Sequence, residues 1–516
     1  MDSADGIVYL VGGGPGAPDL ITIRGRNVLR RAQVVVYDNL VNPELLAFAA
    51  DSAELIYAGK RGGSSESFDQ AELNRILVER ARCGLRVVRL KGGDPFIFGR
   101  GGEEAEALAA AGIRFEVVPG VTSAIAGPAF AGIPLTHREY GGFVAFLTGH
   151  QDGAKRADGS TIPWETVASA ARGGGTIVLL MATARLSATL ERIVAGGLAP
   201  ETPAAAVQSA TTASQRTVRA TLGTLAGEVE RAGIGAPAVI VIGACVALGA
   251  SLGWAERMPL FGRRIVITRA RARSGAFAEA LREMGAEAIE FPVIQTVAPD
   301  SFDSLDSALA RLADFDWIVF TSPTGVEAFV DRIRESGRDL REAARAKLAA
   351  IGPATAARLR HYALSVAAIP HEYRAEAIVA AIGTDRIASA RFLIPRAQVA
   401  REILPAMLVE AGAREVVVAP AYKTVRPASV NAARIREMAA ARAVDLVVFT
   451  SSSTVANFGA LAGPLSPAMR AAVIGPITAV SAREAGFEVV IEPREYTIAA
   501  LTLAIRDYFA ADRAVG

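Results

Sequence analysis

Two glycine-rich segments near the N-terminus contain the residue types best suited to binding a small ligand. They are YLVGGGPGAPDL (9–20) and LKGGDPFIFGRGGEE (90–104), and each includes or follows an apolar run that predicts a strand. Glycine at the end of a strand lets the backbone approach a ligand closely, and phosphate is a common ligand of such loops. The two segments could therefore form one site, and the first question is whether its ligand is a phosphate.

The first segment matches the dinucleotide fingerprint G-x-G-x-x-G/A within GGGPGA (12–17), and Asp38 follows where a ribose-binding acid would stand. Two prolines argue against an NAD-dependent oxidoreductase. Pro15 removes an N–H group from the loop, and Pro18 delays the helix whose N-terminus should face a pyrophosphate. Dinucleotide binding is therefore the weaker alternative.

The second segment combines two glycines with one acid and an apolar pair in KGGDPF (91–96). A single carboxylate among apolar groups suits a cationic nucleoside better than a phosphate, which Asp94 would repel. The structural alternative is a tight turn in which Asp94 caps a helix that starts near Gly99.

The composition excludes several classes of function. The chain has 516 residues, of which 51% are hydrophobic and 21% charged, and this composition is typical of a globular protein. Its net charge of +2 is too small to create the positive electrostatic potential that attracts nucleic acid. Only Cys83 and Cys245 are present, and the four histidines lack i,i+4 spacing, so we expect neither disulfides nor a metal site. We predict a buried strand and turn, not a membrane span, at 237–254, and a cytoplasmic location without a signal peptide.

Short apolar runs alternate with amphipathic runs along the whole chain, which predicts an α/β fold. A helix should begin after an N-cap at Thr22 and run to about Arg31. Trp, Pro and charged residues interrupt the pattern at 251–264, so we place a domain boundary near residue 258. The predicted strands are 7–12, 32–38, 86–92 and 115–120 in a first lobe and 141–150, 174–183 and 236–246 in a second.

The second half contains an internal repeat. DWIVFTSPTGVEAF (316–329) matches DLVVFTSSSTVANF (445–458), and LAAIGPATAARL (348–359) matches AAVIGPITAVSA (471–482). The repeat predicts two similar α/β lobes with a Thr-Ser turn at the carboxyl end of a strand in each, which is where open α/β sheets bind ligands.

The first half resembles the uroporphyrinogen-III C-methyltransferases. The matching motifs run in order from residue 7 to about 254 and include VYLVGGGPGAPDLIT, AGKRGG, VVRLKGGDPFIFGRGGEE and FAGIPLTHREYG. The resemblance implies a homodimeric two-lobed enzyme, with lobes at about 1–137 and 138–257, that binds S-adenosylmethionine (SAM) in its cleft. The cofactor contacts that it implies are Pro15, Gly92, Gly93, Asp94, Ile97, Thr122, Ser123, Met181 and Ala210.

The same resemblance implies roles for several charged residues. Asp38 and Lys60 match a general base and a proton donor, although Lys60 could equally be a solvated loop lysine. Candidate partners of the substrate carboxylates are Arg61, Arg100 and Arg138, each of which could also be a surface arginine. The sequence departs from the family pattern at Ala182 and Ala210, where glycine is common, and we expect a methyl group near the cofactor at both positions.

The second half, 258–516, resembles uroporphyrinogen-III synthase through VITRA, VFTSPTGVEAF, LIPRAQVAREIL and APAYKTV. The resemblance implies two lobes, the first discontinuous, and a reaction that needs no cofactor. Tyr422 matches a tyrosine that assists departure of the substrate hydroxyl, and a core tyrosine is the structural alternative. The implied substrate contacts are Arg269, Thr321, Ser322, Gly352, Thr355, Arg396, Thr450, Ser451, Ser452, Gly475 and Thr478.

Together the two resemblances predict a fusion that cyclises hydroxymethylbilane to uroporphyrinogen III and methylates that product twice to precorrin-2, for siroheme or cobalamin. One alternative is that only the first half is active and the second binds tetrapyrroles. Another is a SAM-binding regulatory protein without activity, against which the retention of Asp38, Lys60 and Tyr422 argues.

Overall fold

A computed structural model describes residues 6–59, 69–149, 162–269, 271–370, 375–399, 403–427, 432–463 and 469–515. It contains four β-sheets, each flanked by helices, and so confirms the predicted α/β class. None of the helices in these ranges combines the length and the apolar character that a membrane span requires.

The first sheet is parallel, with the strand order β3-β2-β4-β1-β5. The three β-branched valines of Val34–Tyr37 are all buried, as expected for a strand covered on both faces. The Thr22 hydroxyl accepts from the Gly25 N–H, so the predicted N-cap is confirmed, but the helix ends at Leu29. The elements are β1 (Ile7–Gly12), α1 (Ile23–Leu29), β2 (Val34–Tyr37), β3 (Glu54–Tyr57), α2 (Gln70–Arg82), β4 (Arg86–Lys91), α3 (Gly101–Ala110), β5 (Arg114–Val118) and α4 (Ser123–Phe130).

The second sheet is mixed, with the order β6-β7-β10-β8-β9. The apolar stretch 237–254 forms β10, a 3-10 turn and a four-residue helix, in line with the predicted strand and turn. The elements are β6 (Phe143–Thr148), α5 (Trp164–Arg172), β7 (Gly175–Leu180), α6 (Leu186–Ala195), β8 (Pro203–Gln208), β9 (Arg216–Thr221), α7 (Leu225–Arg231), β10 (Ala238–Ile242) and α8 (Gly249–Leu252).

The third sheet, β12-β11-β19-β20-β21, joins two distant parts of the chain, because β11 pairs with β19 across 180 residues of sequence. This is the discontinuous lobe that the second resemblance implies. Its first part consists of β11 (Arg264–Ile267), α9 (Arg271–Glu283) and β12 (Glu287–Glu290). Its second part consists of α16 (Ala432–Ala440), β19 (Leu446–Phe449), α17 (Ser452–Ala462), β20 (Arg470–Val473), α18 (Pro476–Glu484), β21 (Glu488–Ile491) and α19 (Ile498–Val515).

The fourth sheet is built from the chain inserted between these parts, in the order β13-β18-β17-β14-β15-β16. The repeat predicted from the sequence is present as two strand–turn–helix pairs, β14–α11 with β15–α12 and β19–α17 with β20–α18. The inserted elements are β13 (Gln295–Val297), α10 (Asp303–Ala310), β14 (Trp317–Phe320), α11 (Pro323–Glu335), β15 (Lys347–Ala350), α12 (Pro353–His361), β16 (Val366–Ala368), α13 (Ala375–Ile382), α14 (Thr384–Ile387), β17 (Arg391–Ala397), α15 (Ile403–Glu410) and β18 (Glu415–Val425).

Between the halves, the segment 251–264 holds a 3-10 turn at Ala255–Arg257 and leads into β11. Within the described ranges, no sheet takes strands from both sides of residue 258. The exact limits of the domains stay a prediction.

Candidate functional site

The two glycine-rich segments meet at the carboxyl edge of the first sheet. The backbones of Gly14 and Gly93 exchange hydrogen bonds of 3.2 and 2.7 Å. A Cβ atom on Gly12 would lie 2.5 Å from the Cα atom of Gly120, so glycine is required where β1 and β5 end. The prediction that both segments form one site agrees with this contact.

Gly93 leaves an open space beside this contact. Its φ angle is +68°, and an added Cβ atom would meet nothing nearer than the Thr122 Cα atom at 3.8 Å. Thr122 is the buried N-cap of α4 and accepts a hydrogen bond from the Ala124 N–H at 3.3 Å, and Ser123 opens that helix. The backbone of Thr122 and Ser123 borders this space, and Ile97, four residues beyond Gly93 in the same segment, has an exposed apolar side chain.

Asp94 holds the turn of the second segment. One carboxylate oxygen accepts from the Phe96 and Ile97 N–H groups at 2.8 and 3.2 Å, and the other accepts from the Gly120 N–H at 3.0 Å. The idea that Asp94 caps the next helix is wrong, because α3 begins at Gly101 after a left-handed Arg100 and has no side-chain cap.

The first segment, around Pro15, is held by both lobes. The Gly16 carbonyl accepts from the Asn42 side chain at 2.7 Å, and the Ala17 N–H donates to the Thr211 hydroxyl of the second lobe at 2.9 Å. Only a three-residue 3-10 turn, Pro18–Leu20, follows this loop directly, and the next α-helix starts at Ile23, which weakens the dinucleotide alternative further.

In the second lobe, Met181 follows β7 in a left-handed conformation and is half-exposed, whereas its neighbour Ala182 is fully buried. Ala182 packs in the core of the second lobe. Ala210 is buried beneath α4, where a Cβ atom on Gly127 would lie 3.5 Å from its methyl group. Both methyl groups that depart from the family pattern therefore contact the core.

Asp38 lies directly after β2, and its neighbour Leu40 packs against Gly92, where an added Cβ atom would lie 2.7 Å from the Leu40 Cβ atom. One Asp38 oxygen accepts from the Leu40 N–H at 3.1 Å. The other faces the Arg89 guanidinium at 3.4 Å. Asp38 is thus next to the second glycine segment and beside a buried cation.

Arg89 belongs to a buried charge cluster that the sequence reasoning missed. Arg89 and Lys91 project from β4 and reach one oxygen of Glu104 on α3 at 3.1 and 2.7 Å. Glu104 is fully buried, and its other oxygen has no hydrogen-bond partner among the described residues. Burial, and then the nearby Arg89 charge, lower the pKa of Lys91.

The remaining candidates of the first half are less informative. Lys60 and Arg61 lie outside the described residues. Arg100 is exposed and pairs with Glu103 at 2.7 Å, and Arg138 is exposed. Among the described residues, no three His, Cys, Asp or Glu side chains are grouped so as to hold a metal ion.

In the second half, Tyr422 lies on β18 with its hydroxyl 3.0 Å from the Ser322 hydroxyl at the end of β14. Ser322 also caps α11 by accepting from the Gly325 N–H at 3.0 Å. Because β18, β17 and β14 are neighbours in the fourth sheet, the fold brings Tyr422, Ser322 and Arg396 to the same region. Arg396 itself is 5% exposed.

The other candidates of the second half lie where strands end and helices begin. Thr321 precedes α11, and Gly352 is the N-cap of α12. In the third sheet, Ser451 caps α17 and Gly475 is the N-cap of α18, so the repeat places equivalent turns in both lobes. The positions also include the buried Thr355 and Thr478, the partly buried Thr450 and Ser452, and Arg269 just after β11.

Two family models match this chain. Residues 7–226 match the Tetrapyrrole (Corrin/Porphyrin) Methylases, and residues 275–502 match Uroporphyrinogen-III synthase HemD. The Porphyrin biosynthesis protein HemD of Ruminiclostridium josui is 35% identical over 487 residues, which cover 94% of this chain and 95% of that protein. The chain belongs to these two families. It is an enzyme of tetrapyrrole biosynthesis that joins a methylase to a synthase, and both predicted resemblances are confirmed.

Two further proteins are similar to the methylase half. The S-adenosyl-L-methionine-dependent uroporphyrinogen III methyltransferase of Methanosarcina barkeri is 49% identical over 253 residues, 49% of this chain and 97% of that protein. The structure of the native form of uroporphyrin III C-methyl transferase from Thermus thermophilus is 38% identical and covers 47% of this chain and 100% of its own, with a TM-score of 0.40.

Proposed function

We propose that the synthase half converts hydroxymethylbilane to uroporphyrinogen III and that the methylase half then transfers two methyl groups from SAM to give precorrin-2. The observation that carries the methyl-transfer proposal is the open, side-chain-free backbone at Gly93, with Asp38 beside the same glycine segment. The name of the Methanosarcina barkeri relative supports the methylation, and the match of residues 275–502 to Uroporphyrinogen-III synthase HemD supports the cyclisation.

The described residues fit SAM better than a phosphate ligand. The apolar Ile97 and Met181 side chains are exposed near the ends of β4 and β7, and backbone groups of the glycine segments border the open space. Asp94 uses both of its oxygens to hold the turn, so we propose that it shapes the SAM site through the backbone. A binding mode through backbone groups also agrees with the packing of the Ala182 and Ala210 methyl groups in the core.

Bound SAM supplies a methyl group already activated by its positive sulfur, so the protein's main task is to align the acceptor carbon. When that pyrrole carbon gains the methyl group, the macrocycle must lose a proton. We assign the acceptance of this proton to Asp38, whose carboxylate faces the Arg89 guanidinium. Lys60 remains the proposed proton donor.

For the synthase reaction, we propose that the Tyr422 hydroxyl donates a proton to the departing hydroxyl group, which leaves as water. The Ser322 hydroxyl, 3.0 Å away, orients the phenol. Turn N–H groups at the strand ends of both lobes are proposed to bind substrate carboxylates. The predicted homodimer, the cytoplasmic location and the absence of nucleic-acid partners stay predictions.

One experiment tests both activities. The full-length protein is supplied with hydroxymethylbilane, with and without SAM, and the products are identified by mass and isomer. We expect the type-III isomer without SAM and a doubly methylated product with SAM. Only the spontaneously formed type-I isomer would overturn the synthase assignment, and unmethylated uroporphyrinogen III in the presence of SAM would overturn the methyltransferase assignment.

A further inference from the structure

The synthase half contacts the methylase half at two segments, and both segments hold the first glycine loop. The first contact is an ion pair across the halves. The Arg282 guanidinium on α9 donates to the Glu44 carboxylate at 2.8 Å and to the Ala288 carbonyl at 3.0 Å. Both charged side chains are largely buried, with 21% and 13% of their surfaces exposed.

Glu44 is connected to the glycine loop through one residue. The Glu44 N–H donates to the Asn42 side-chain oxygen at 2.9 Å, and the Asn42 amide nitrogen donates to the Gly16 carbonyl at 2.7 Å. The turn from Asn42 to Glu44 therefore orients the Asn42 amide, and Arg282 holds this turn through Glu44. A displacement of this turn would remove a hydrogen bond from the loop that begins at Gly13.

The second contact reaches the same loop from the opposite lobe. One oxygen of Glu287, on β12, accepts from the Ala213 N–H at 3.3 Å and from the Arg264 side chain at 3.2 Å. Arg264 also donates to the Ser214 hydroxyl. Two residues before Ala213, the Thr211 hydroxyl accepts a hydrogen bond from the Ala17 N–H of the glycine loop at 2.9 Å.

The loop has an open side toward the synthase half. A cavity of about 570 Å³ lies between the halves, with residues 16–19 in its wall together with Phe130, Phe261 and Arg282. Because a cavity lies on this side of the loop, packing alone does not fix the loop's position. The hydrogen bonds of Gly16 and Ala17 restrain it. Those bonds come from the two segments that the synthase half contacts.

We propose that Arg282 and Glu287 of the synthase half are positioning residues for SAM binding in the methylase half. This inference rests on the proposed function, because it takes the first glycine loop as part of the SAM site. The synthase half then acts as a structural support of the methylase cleft in addition to its own reaction. We assign neither residue a contact with SAM, and both act through the loop.

The test measures SAM affinity of full-length variants by titration calorimetry. We expect Arg282→Ala and Glu287→Ala each to raise the Kd for SAM about five- to tenfold. The KM for SAM should rise with it, whereas kcat at saturating SAM and the cyclisation of hydroxymethylbilane should stay near wild type. Arg311→Ala removes a partly exposed ion pair within the synthase half, with Glu415, and should leave SAM affinity unchanged.

A double-mutant cycle separates positioning from general destabilisation. Asn42→Ala breaks the same connection inside the methylase half, so Arg282→Ala should add little to the Kd of an Asn42→Ala protein. Full additivity, or a wild-type Kd for a folded Arg282→Ala variant, would overturn the inference. If the wild-type protein binds no SAM, the proposed methyltransferase function fails first, and the inference fails with it.

Discussion

The buried charge cluster beside Asp38 predicts that replacing Glu104 with alanine strongly destabilises the methylase half. Glu104 is fully buried and is the partner of two cations, Arg89 and Lys91, at 3.1 and 2.7 Å. Removing it leaves two positive charges facing each other in the core. Loss of one member of a buried ion pair costs about 3–5 kcal/mol of unfolding free energy. For a unit of about 250 residues this lowers Tm by roughly 6 to 20 °C.

The adjacent Glu103 provides the matched control. It is an identical side chain on the same helix, but 53% of it is exposed, and it forms a surface pair with Arg100. Because exposed pairs contribute about 0–1 kcal/mol, Glu103→Ala should lower Tm by no more than about 4 °C. We compare the two full-length variants by scanning calorimetry. The unfolding transition of the methylase half is identified as the one that shifts when SAM is added.

A second substitution tests the cause. Lys91→Met removes one of the two cations, so a Glu104→Ala, Lys91→Met protein should lose less than the sum of the single losses. A Tm for Glu104→Ala within about 2 °C of the Glu103→Ala value would refute the reasoning, since it would mean that the buried carboxylate carries no net electrostatic stabilisation. Methyl transfer should also slow in Glu104→Ala, because Arg89 would lose the partner that holds it beside Asp38.

Three further predictions concern other parts of the chain. Tyr422→Phe should slow cyclisation of hydroxymethylbilane and leave methyl transfer from SAM intact; equal loss of both activities in separate assays would contradict its assigned role. Asp94→Ala should weaken SAM binding, measured by calorimetry, since the turn loses three accepted hydrogen bonds; an unchanged Kd would contradict its role in shaping the site. Burial raises the pKa of Glu44 from 4.5 to about 7, against the opposing Arg282 charge and with help from Glu290. The native state therefore keeps this proton longer than the unfolded chain, and the free energy of unfolding falls by up to about 3 kcal/mol between roughly pH 4.5 and 7. Glu44→Gln should remove that fall, so its Tm relative to wild type should be higher at pH 8 than at pH 5; a constant difference would contradict the shift.

Much of the fold was predictable because local residue types decide it. Examples are the Thr22 cap, the end of β1 at Gly12 and the repeated turns at Ser322 and Ser451, each of which depends on a few neighbouring residues. Their predicted structures are accordingly close to the observed ones. Several predicted strands are a few residues too long, as at 236–246, where β10 covers only Ala238–Ile242 because the apolar residues after Gly243 form a 3-10 turn.

The charge cluster was missed because it depends on three-dimensional placement. Arg89 and Lys91 are separated by one residue, so they share one face of β4, and this face is covered by α3, which carries Glu104. Two cations at alternate positions of an otherwise apolar strand, followed by an acid on the next helix, were the available signal. The contact of Arg282 with Glu44 had no such signal, because it depends on how the two halves pack against each other.

The discontinuous lobe also has a consequence for how the enzyme is made. Three residues that contact the methylase half lie in the first part of this lobe, Arg264 on β11, Arg282 on α9 and Glu287 on β12, whereas the last strand of its sheet ends at Ile491, about 200 residues later. At ribosomal speed this interval lasts roughly 10 to 40 s. During that time the methylase half is already outside the ribosome, but the lobe that supports its glycine loop lacks three of its five strands. If Arg282 and Glu287 support the loop as proposed, full cofactor affinity should arise only when synthesis of the chain is nearly finished, and a product truncated before β19 should bind SAM more weakly than the full chain.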